Sequence, residues 1–245
     1  PSLPADNPYL PKSYWDALDT LPAALRQAWV YGDWYASLDG MYFDQFRADM
    51  HSIDEWPIDR SQEFWLSLDY GLQHWNVFYL HTTASDGRVI TLHEVAHRKH
   101  YPAEIARDVH AMLSEYGLTA DDLSCILAGS DTFAQTGASM KSVAEQYAEQ
   151  GLYLSSAQMG PGSRVLKAHH FRKLLGNADR GEHPSWYFVL RKCPHLAECI
   201  PGLIPDPSNA EGVKKVDCNE NGEGGDDFWD ALSNGLFRPV RSHMG

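Results

Sequence analysis

The sequence predicts an α/β domain built on a mixed β-sheet, and three observations lead there. Strand-like segments at 63–69, 74–83 and 88–95 follow one another closely, the pattern of an antiparallel meander. Helix-like and strand-like segments then alternate to the end of the chain, as they do around a partly parallel sheet. No period of 20–50 residues recurs, which excludes a solenoid or propeller.

Each element follows from its residues. EFWLSLD (63–69) is an apolar run that ends in an acid. HWNVFYLHTT (74–83) is rich in aromatic and β-branched residues, Ser85, Asp86 and Gly87 make a turn, and RVITLHEV (88–95) is the third strand. After Pro102, AEIARDVHAMLSEYG carries Ile105, Val109, Met112 and Leu113 as a helical stripe, with Gly117 as its stop. LSCILAGSD (123–131) is a fourth strand, ASMKSVAEQYAEQG (138–151) an amphipathic helix, and LYLSSA (152–157) a fifth, short strand. A helix at about 164–175, a strand at 185–190 and a helix near 227–236 complete the series. The polar, glycine-rich tract 206–225 reads as a mobile loop. Residues 1–60, rich in Trp, Tyr, Pro and Asp, read as a short helix over Ser13–Trp29 followed by an irregular stretch. That segment is either a wrap around the main domain or a joint to another one. The initial Pro and the closing RSHMG read as the edges of an excised piece.

Composition bounds the function. A chain of 245 residues with 43% hydrophobic residues can bury one substantial core. No apolar run approaches the ~18 residues needed to span a bilayer, so no membrane role is expected. Four irregularly spaced cysteines suit reduced thiols in a cytosolic compartment better than a disulfide scaffold. The net charge of −13 argues against a general nucleic-acid binder. It does not exclude phosphodiester chemistry, because a cleft can differ from the average surface and a carboxylate cluster is itself acidic until metals neutralise it.

The acids carry the chemical signal. Along 63–69, Trp65, Ser67 and Asp69 share one face while Phe64, Leu66 and Leu68 share the other, and Gly71 lets the chain turn beside Asp69. Asp131 follows CILAGS in the same way. The carboxyl ends of parallel strands are where binding groups converge, and paired acids there suit Mg²⁺, which takes hard oxygen ligands. In GGDDFWDALSNGL, Asp226 or Asp227 starts a helix and Asp230 lies one turn inside it, beside apolar Phe228, Trp229, Ala231 and Leu232. The spacings of three and four residues place carboxylates on one helix face, although Asp226 or Asp227 is also an ordinary N-cap. Two strand-end acids and one helix acid can hold two metals roughly 4 Å apart, one activating water and the other stabilising a leaving 3′-oxygen.

Other motifs point elsewhere. HEVAH (93–97) has the letters of a zinc-protease motif, which needs a helix. Here it continues a strand, where His93 and His97 would stand roughly 13 Å apart. Cys193, His195, Cys199 and Cys218 depart from finger spacings and read as packing residues. Arg164, Lys167, His169, His170, Arg172 and Lys173 form the densest basic cluster, and its nearness to the acids points to contact with a phosphate backbone.

Taken in order, several segments resemble the C-terminal nuclease half of the large terminase subunit of tailed phages, over nearly the whole chain. LPAALRQAWVYGDWYASLDGMYFDQF resembles the passage that joins the packaging ATPase to the nuclease. SLDYG and ILAGSD resemble the two catalytic-acid strands, and SAQMGPGSRVLKAHHFRKLLG the basic segment after them. RKCPHLAECIPGL resembles a late segment and DDFWDALSNGL the closing Asp-Ala-Leu helix. The chain departs from the pattern at Thr132–Phe133, where Pro-Ala is common, at Ser233–Asn234, where Arg-Tyr is frequent, and around Phe228, near a position often preceded by His.

The resemblance implies an RNase H-like mixed five-stranded sheet flanked by helices, with N- and C-terminal extensions. Residues 1–60 would link to a missing ATPase domain, and 61–245 would be the nuclease. The implied activity is metal-dependent endonucleolytic cutting of concatemeric double-stranded phage DNA during packaging. Asp69, Asp131 and Asp230 would be the catalytic metal acids, with Asp227 or Asp226 as a further ligand and Arg164, Lys167, Arg172 and Lys173 on DNA. The implied cofactor is Mg²⁺ or Mn²⁺, two ions during turnover. The implied partners are DNA, the ATPase domain, the portal protein and the small terminase subunit, in the host cytoplasm at the procapsid. The chain has no GxxxxGK[ST] motif, so no ATP site is expected in it. Two other expectations stay open: a related nuclease such as a junction resolvase, and a catalytically weak module that docks on the portal or ATPase.

Overall fold

The computed structural model describes Tyr9, Leu10, Lys12 and residues 41–135, 141–158 and 160–238, apart from the side chain of Asp179. The expected helix over Ser13–Trp29 and the closing RSHMG lie outside the described residues.

Strand β2 (Phe64–Asp69) runs through the middle of a mixed sheet. It pairs antiparallel with β3 (Trp75–Thr83), which pairs antiparallel with β4 (Val89–Arg98), so the meander forms as read. On its other side β2 pairs parallel with β5 (Leu123–Ala128), in the register Leu68 to Ala128. Beyond β5 lies the two-residue strand β6 (Ser155–Ser156). At the far edge β7 (Trp186–Val189) runs parallel to β4, and β1 (Ser52–Ile53) parallel to β7. Among the described residues the order is β1-β7-β4-β3-β2-β5-β6, seven strands where the resemblance implied five and the segments read along the chain gave six. The strand read at 185–190 forms β7, and the short β1 beside it is the strand not anticipated.

Helices cover both faces. Behind one face lie α2 (Pro102–Glu115) and α3 (Val143–Ala148), with Leu66, Phe78, Leu80, Ile105, Val109, Leu113 and Tyr147 in the shared core. Against the other lie α4 (Ser163–Leu175), α5 (Pro194–Gly202) and α6 (Asp227–Leu236), with Val77, Tyr79, Phe171, Phe188, Leu196, Trp229 and Leu232. A strand covered on both faces reads as a nearly continuous apolar run, and FWLSL is buried throughout, its one polar residue, Ser67, paired with His81. The chain before β1 joins this core: after Tyr42, Phe43 and Phe46, all buried, comes the short α1 (Ala48–His51). Tyr42 N–H donates to Leu203 O at 2.8 Å.

Several elements differ from their sequence reading. Of 152–157 only Ser155–Ser156 pairs as strand. The tract read as a mobile loop opens with a hairpin, β8 (Pro205–Asp206) and β9 (Asn209–Val213), whose Gly212 and Val213 are buried. Helix α5, with Pro at its start and Pro201 inside it, was not anticipated. HEVAH lies within β4, as its neighbours indicated. No described helix is long and apolar enough to cross a membrane.

Candidate active site

The end of β2 delivers Asp69 to the face that α6 covers. Three contacts set how closely the helix lies. Trp65 Nε1–H donates to Gly235 O at 3.0 Å, and Asn234 Nδ2–H donates to Leu68 O at 3.0 Å, one residue before Asp69. Gly235 itself has no room for a side chain: a Cβ there would meet His81 Nε2 at 2.5 Å and Ser67 Oγ at 2.7 Å. Those two atoms are a buried pair 2.8 Å apart, and His81 Nδ1 lies 3.1 Å from Thr91 Oγ1. Burial pushes the His81 pKa down to about 3, so its ring is neutral beneath the site.

The second acid arrives by the parallel neighbour. After Ala128 the chain passes Gly129 into a short 3₁₀ turn, Ser130–Phe133, whose exposed Asp131 accepts Thr132 N–H at 3.1 Å through Oδ1. A Cβ built on Gly129 would stand 2.8 Å from Asp131 Oδ1 and 3.9 Å from Asp69 Oδ1. The two carboxylate oxygens are therefore no farther apart than those distances laid end to end. The cleft between adjacent strand ends brings Asp69 and Asp131 together.

Helix α6 supplies the remaining acids. Asp226 precedes its first turn without capping it through the side chain, so the N-cap reading describes its position and not its bonding. The Asp69 pKa is pushed well up by burial first, then by Asp230, Asp227 and Asp131, with Lys215 opposing. Asp226 is raised to about 6 by burial and by Asp230, against Arg164 and Lys215. Asp227 is raised by burial, partly offset by His74, and its Oδ2 is buried without a hydrogen-bond partner.

Two cations stand among these acids. Arg164, from α4, donates one arm to Asp230 Oδ1 and the other to Asp226 Oδ2, while its Nε–H donates to Val213 O at 2.9 Å. Lys215 Nζ, from an exposed side chain, is 4.0 Å from Asp230 Oδ2. Burial lowers the Lys215 pKa, but Asp230, Asp226 and Asp69 outweigh it and the net shift is upward.

The basic cluster of α4 does not form one open face. Besides Arg164, Lys167 is buried and donates to Asn234 Oδ1 at 2.6 Å. Arg172 donates to Tyr42 O at 2.9 Å and covers the Tyr42 ring at 4.1 Å. Of the four residues expected on DNA, Lys173 alone is exposed. Arg164, Lys167 and Arg172 each have partners within the domain, because α4 packs part of its basic side toward α6 and Tyr42. Lys215, Gly129 and Gly235 were not singled out in the sequence, and Asn234 was noted only as a departure from the terminase pattern, with no role at the site. The only signal for Lys215 was the Lys214–Lys215 doublet within an acidic tract.

The competing motifs resolve locally. His93 and His97 face Glu115 and Asp108 at 3.9 and 2.9 Å. Glu94 points away from them, accepting Tyr79 O–H at 3.0 Å and Leu196 N–H at 3.1 Å and pairing with His195 Nδ1 at 2.6 Å. Cys193 lies against Thr91 O, Cys199 against Gly225 O and Cys218 near His74.

Among the described residues, no three His, Cys, Asp or Glu side chains stand close enough to enclose a metal ion. The donors nonetheless fit a hard divalent cation in kind. Asp69 and Asp131 share one gap, Asp69 is held in surroundings that disfavour its charge, and Asp227 keeps an unmatched buried oxygen. The obstacle is that Asp230 is engaged by Arg164.

No protein-family model and no curated protein matches the chain. Solved structures do match. The large terminase of the thermophilic bacteriophage D6E superposes with a TM-score of 0.60 at 16% identity, over 96% of this chain and 54% of that one. The P22 large terminase nuclease domain gives 0.60 at 14% identity, over 81% of this chain and 92% of that one. The HK97 large terminase gives 0.52 at 12% identity, over 75% and 40%. The chain thus spans about half of the D6E protein and nearly all of the isolated P22 domain. At these identities the likeness is one of fold, an RNase H-like mixed sheet flanked by helices as in terminase nuclease domains.

Proposed function

We propose that this domain, which has the fold of a terminase nuclease, is a divalent-metal-dependent DNA endonuclease that cleaves concatemeric double-stranded phage DNA during packaging. The observation that supports the reading is the nearness of Asp69 and Asp131 at the ends of two parallel strands, with Asp230 on α6 near enough to Asp69 to raise its pKa. Asp69, Asp131 and Asp230 would hold Mg²⁺ or Mn²⁺ through carboxylate oxygens, with Asp227 or Asp226 as a further donor. When bound, two such ions activate a water and stabilise the leaving 3′-oxygen.

The chain's own residues would perform the rest. Asn234 and Gly235 hold α6 close to β2, so the helix that carries Asp230 would be held rigidly beside the strand acids. Lys215 and Lys173, both exposed, would touch phosphates and set the position of the strand without reading its sequence. The ATPase domain, portal protein and small terminase subunit are the proposed partners, in the host cytoplasm.

The test is cleavage of supercoiled plasmid by the purified chain with Mn²⁺ or Mg²⁺, with and without EDTA and with no ATP. The expected result is EDTA-sensitive nicking of duplex DNA. Cutting confined to four-way junctions would favour a resolvase, and no cutting by folded protein across both metals would refute the enzymatic reading.

A further inference from the structure

Arg164 is bound at three points by three parts of the chain. Its Nε–H holds Val213 O at the end of β9, and its two guanidinium arms hold Asp226 and Asp230, one helical turn apart. The two acids are not equivalent. The Asp226 side chain is 3% exposed, so it needs a permanent partner, since a buried carboxylate without a counter-charge is strongly destabilising. The Asp230 side chain is 16% exposed and has a second cation, Lys215, on its other oxygen. One end of the fork is therefore structural, and the other occupies an oxygen that a metal would use.

We propose that Arg164 is an exchangeable counter-ion of the site: it holds Asp230 while no divalent cation is bound and gives up Asp230 to the cation, keeping Asp226. This rests on the reading of Asp230 as a metal ligand and takes Asp227, rather than Asp226, as the further donor. Arg164 is then a positioning residue that raises the metal concentration needed to load the site. It would also tie loading to the β8–β9 hairpin through Val213. The planar fork is what allows one side chain to serve both acids, and a lysine in its place is a point charge that can pair with one.

That difference gives a test at constant net charge. Mn²⁺ binding to the full chain, without DNA, is followed by the loss of the free Mn²⁺ electron paramagnetic resonance signal. Arg164→Lys, which keeps the charge and leaves Asp226 a partner, is expected to bind Mn²⁺ tighter by on the order of tenfold, the size of one charge-assisted hydrogen bond. Lys215→Gln, which removes an exposed charge, should shift affinity less. In an Asp230→Asn background, Arg164→Lys should change nothing. In wild type labelled with ¹⁵N-arginine, saturating Mg²⁺ should shift the Arg164 side-chain resonance, a readout independent of whether any variant folds. Wild-type binding with no gain in Arg164→Lys, or an unmoved Arg164 resonance at saturation, overturns the exchange and leaves the metal site standing. Absence of Mn²⁺ binding by folded wild type and both Arg164→Lys and Arg164→Gln overturns both.

Discussion

A methyl group added at Gly129 would stand 2.8 Å from Asp131 Oδ1 and 3.9 Å from Asp69 Oδ1. The backbone there, φ −59° and ψ 154°, is ordinary for alanine, so Gly129→Ala meets no conformational strain. The closest atom is the tip of an exposed side chain, which can swing aside by giving up the 3.1 Å hydrogen bond from Thr132 N–H. Against that small loss, alanine restricts the unfolded chain and contributes about 0.4–1 kcal/mol of stability. The melting temperature of Gly129→Ala should therefore match or exceed that of wild type. Activity should not: a displacement of the Asp131 carboxylate by about 1 Å corresponds to about 100-fold in rate. Initial rates of plasmid nicking with Mn²⁺, beside a thermal melt of the same preparation, make the comparison. A variant that nicks at the wild-type rate would refute the assignment of Asp131 to the shared gap. A large fall in melting temperature would show that the backbone, and not the carboxylate, moves.

Other consequences follow from the same geometry. Gly235→Ala should destabilise the fold by about 1–3 kcal/mol in a denaturant titration, because the new methyl meets the Ser67–His81 pair and α6 must move off the sheet. His81 has a folded pKa near 3, below the unfolded value of about 6.5, so its contribution is present above pH 6.5 and lost as pH falls toward 3, with a slope of up to about 1.4 kcal/mol per pH unit. His81→Gln should flatten the stability curve in that window, and an unchanged slope would mean that the ring is charged in the folded state. Duplex binding should be weak, salt-sensitive and indifferent to sequence. Lys215→Ala should reduce the salt slope of log K by about 1 on unrelated duplexes alike, whereas selection for one short sequence would contradict backbone contact.

The parts of this account that were legible in the sequence are those set by local periodicity. Trp65, Ser67 and Asp69 fall on one face because a strand has period two, and apolar residues on both faces of FWLSL signal cover on both sides. Asp230 reads as facing the sheet because it sits among Phe228, Trp229, Ala231 and Leu232 on a helix one turn old. The cation partners were not legible. A run such as SRVLKAHHFRKLL shows how many charges α4 carries, but which are spent on Asp226, Asn234 or Tyr42 depends on elements 40 or more residues away. One short pairing escaped for a related reason: Ser52–Ile53 carries too few residues to show a period and pairs because the edge of β7 is available. Asn234, at a departure from the terminase pattern, bonds both Leu68 O and Lys167, a role that only the packing of α4, α6 and β2 reveals.

The central claim is that Asp69 works as a charged oxygen ligand, and replacing one oxygen by nitrogen tests it with little change of shape. Asp69→Asn should keep the wild-type circular dichroism spectrum and should melt no lower, since it removes a charge held in unfavourable surroundings. Its EDTA-sensitive nicking of supercoiled plasmid with Mn²⁺ should vanish, because neither the water nor the leaving oxygen would be positioned and polarised. Full, EDTA-sensitive cleavage by the folded Asp69→Asn protein would contradict the account.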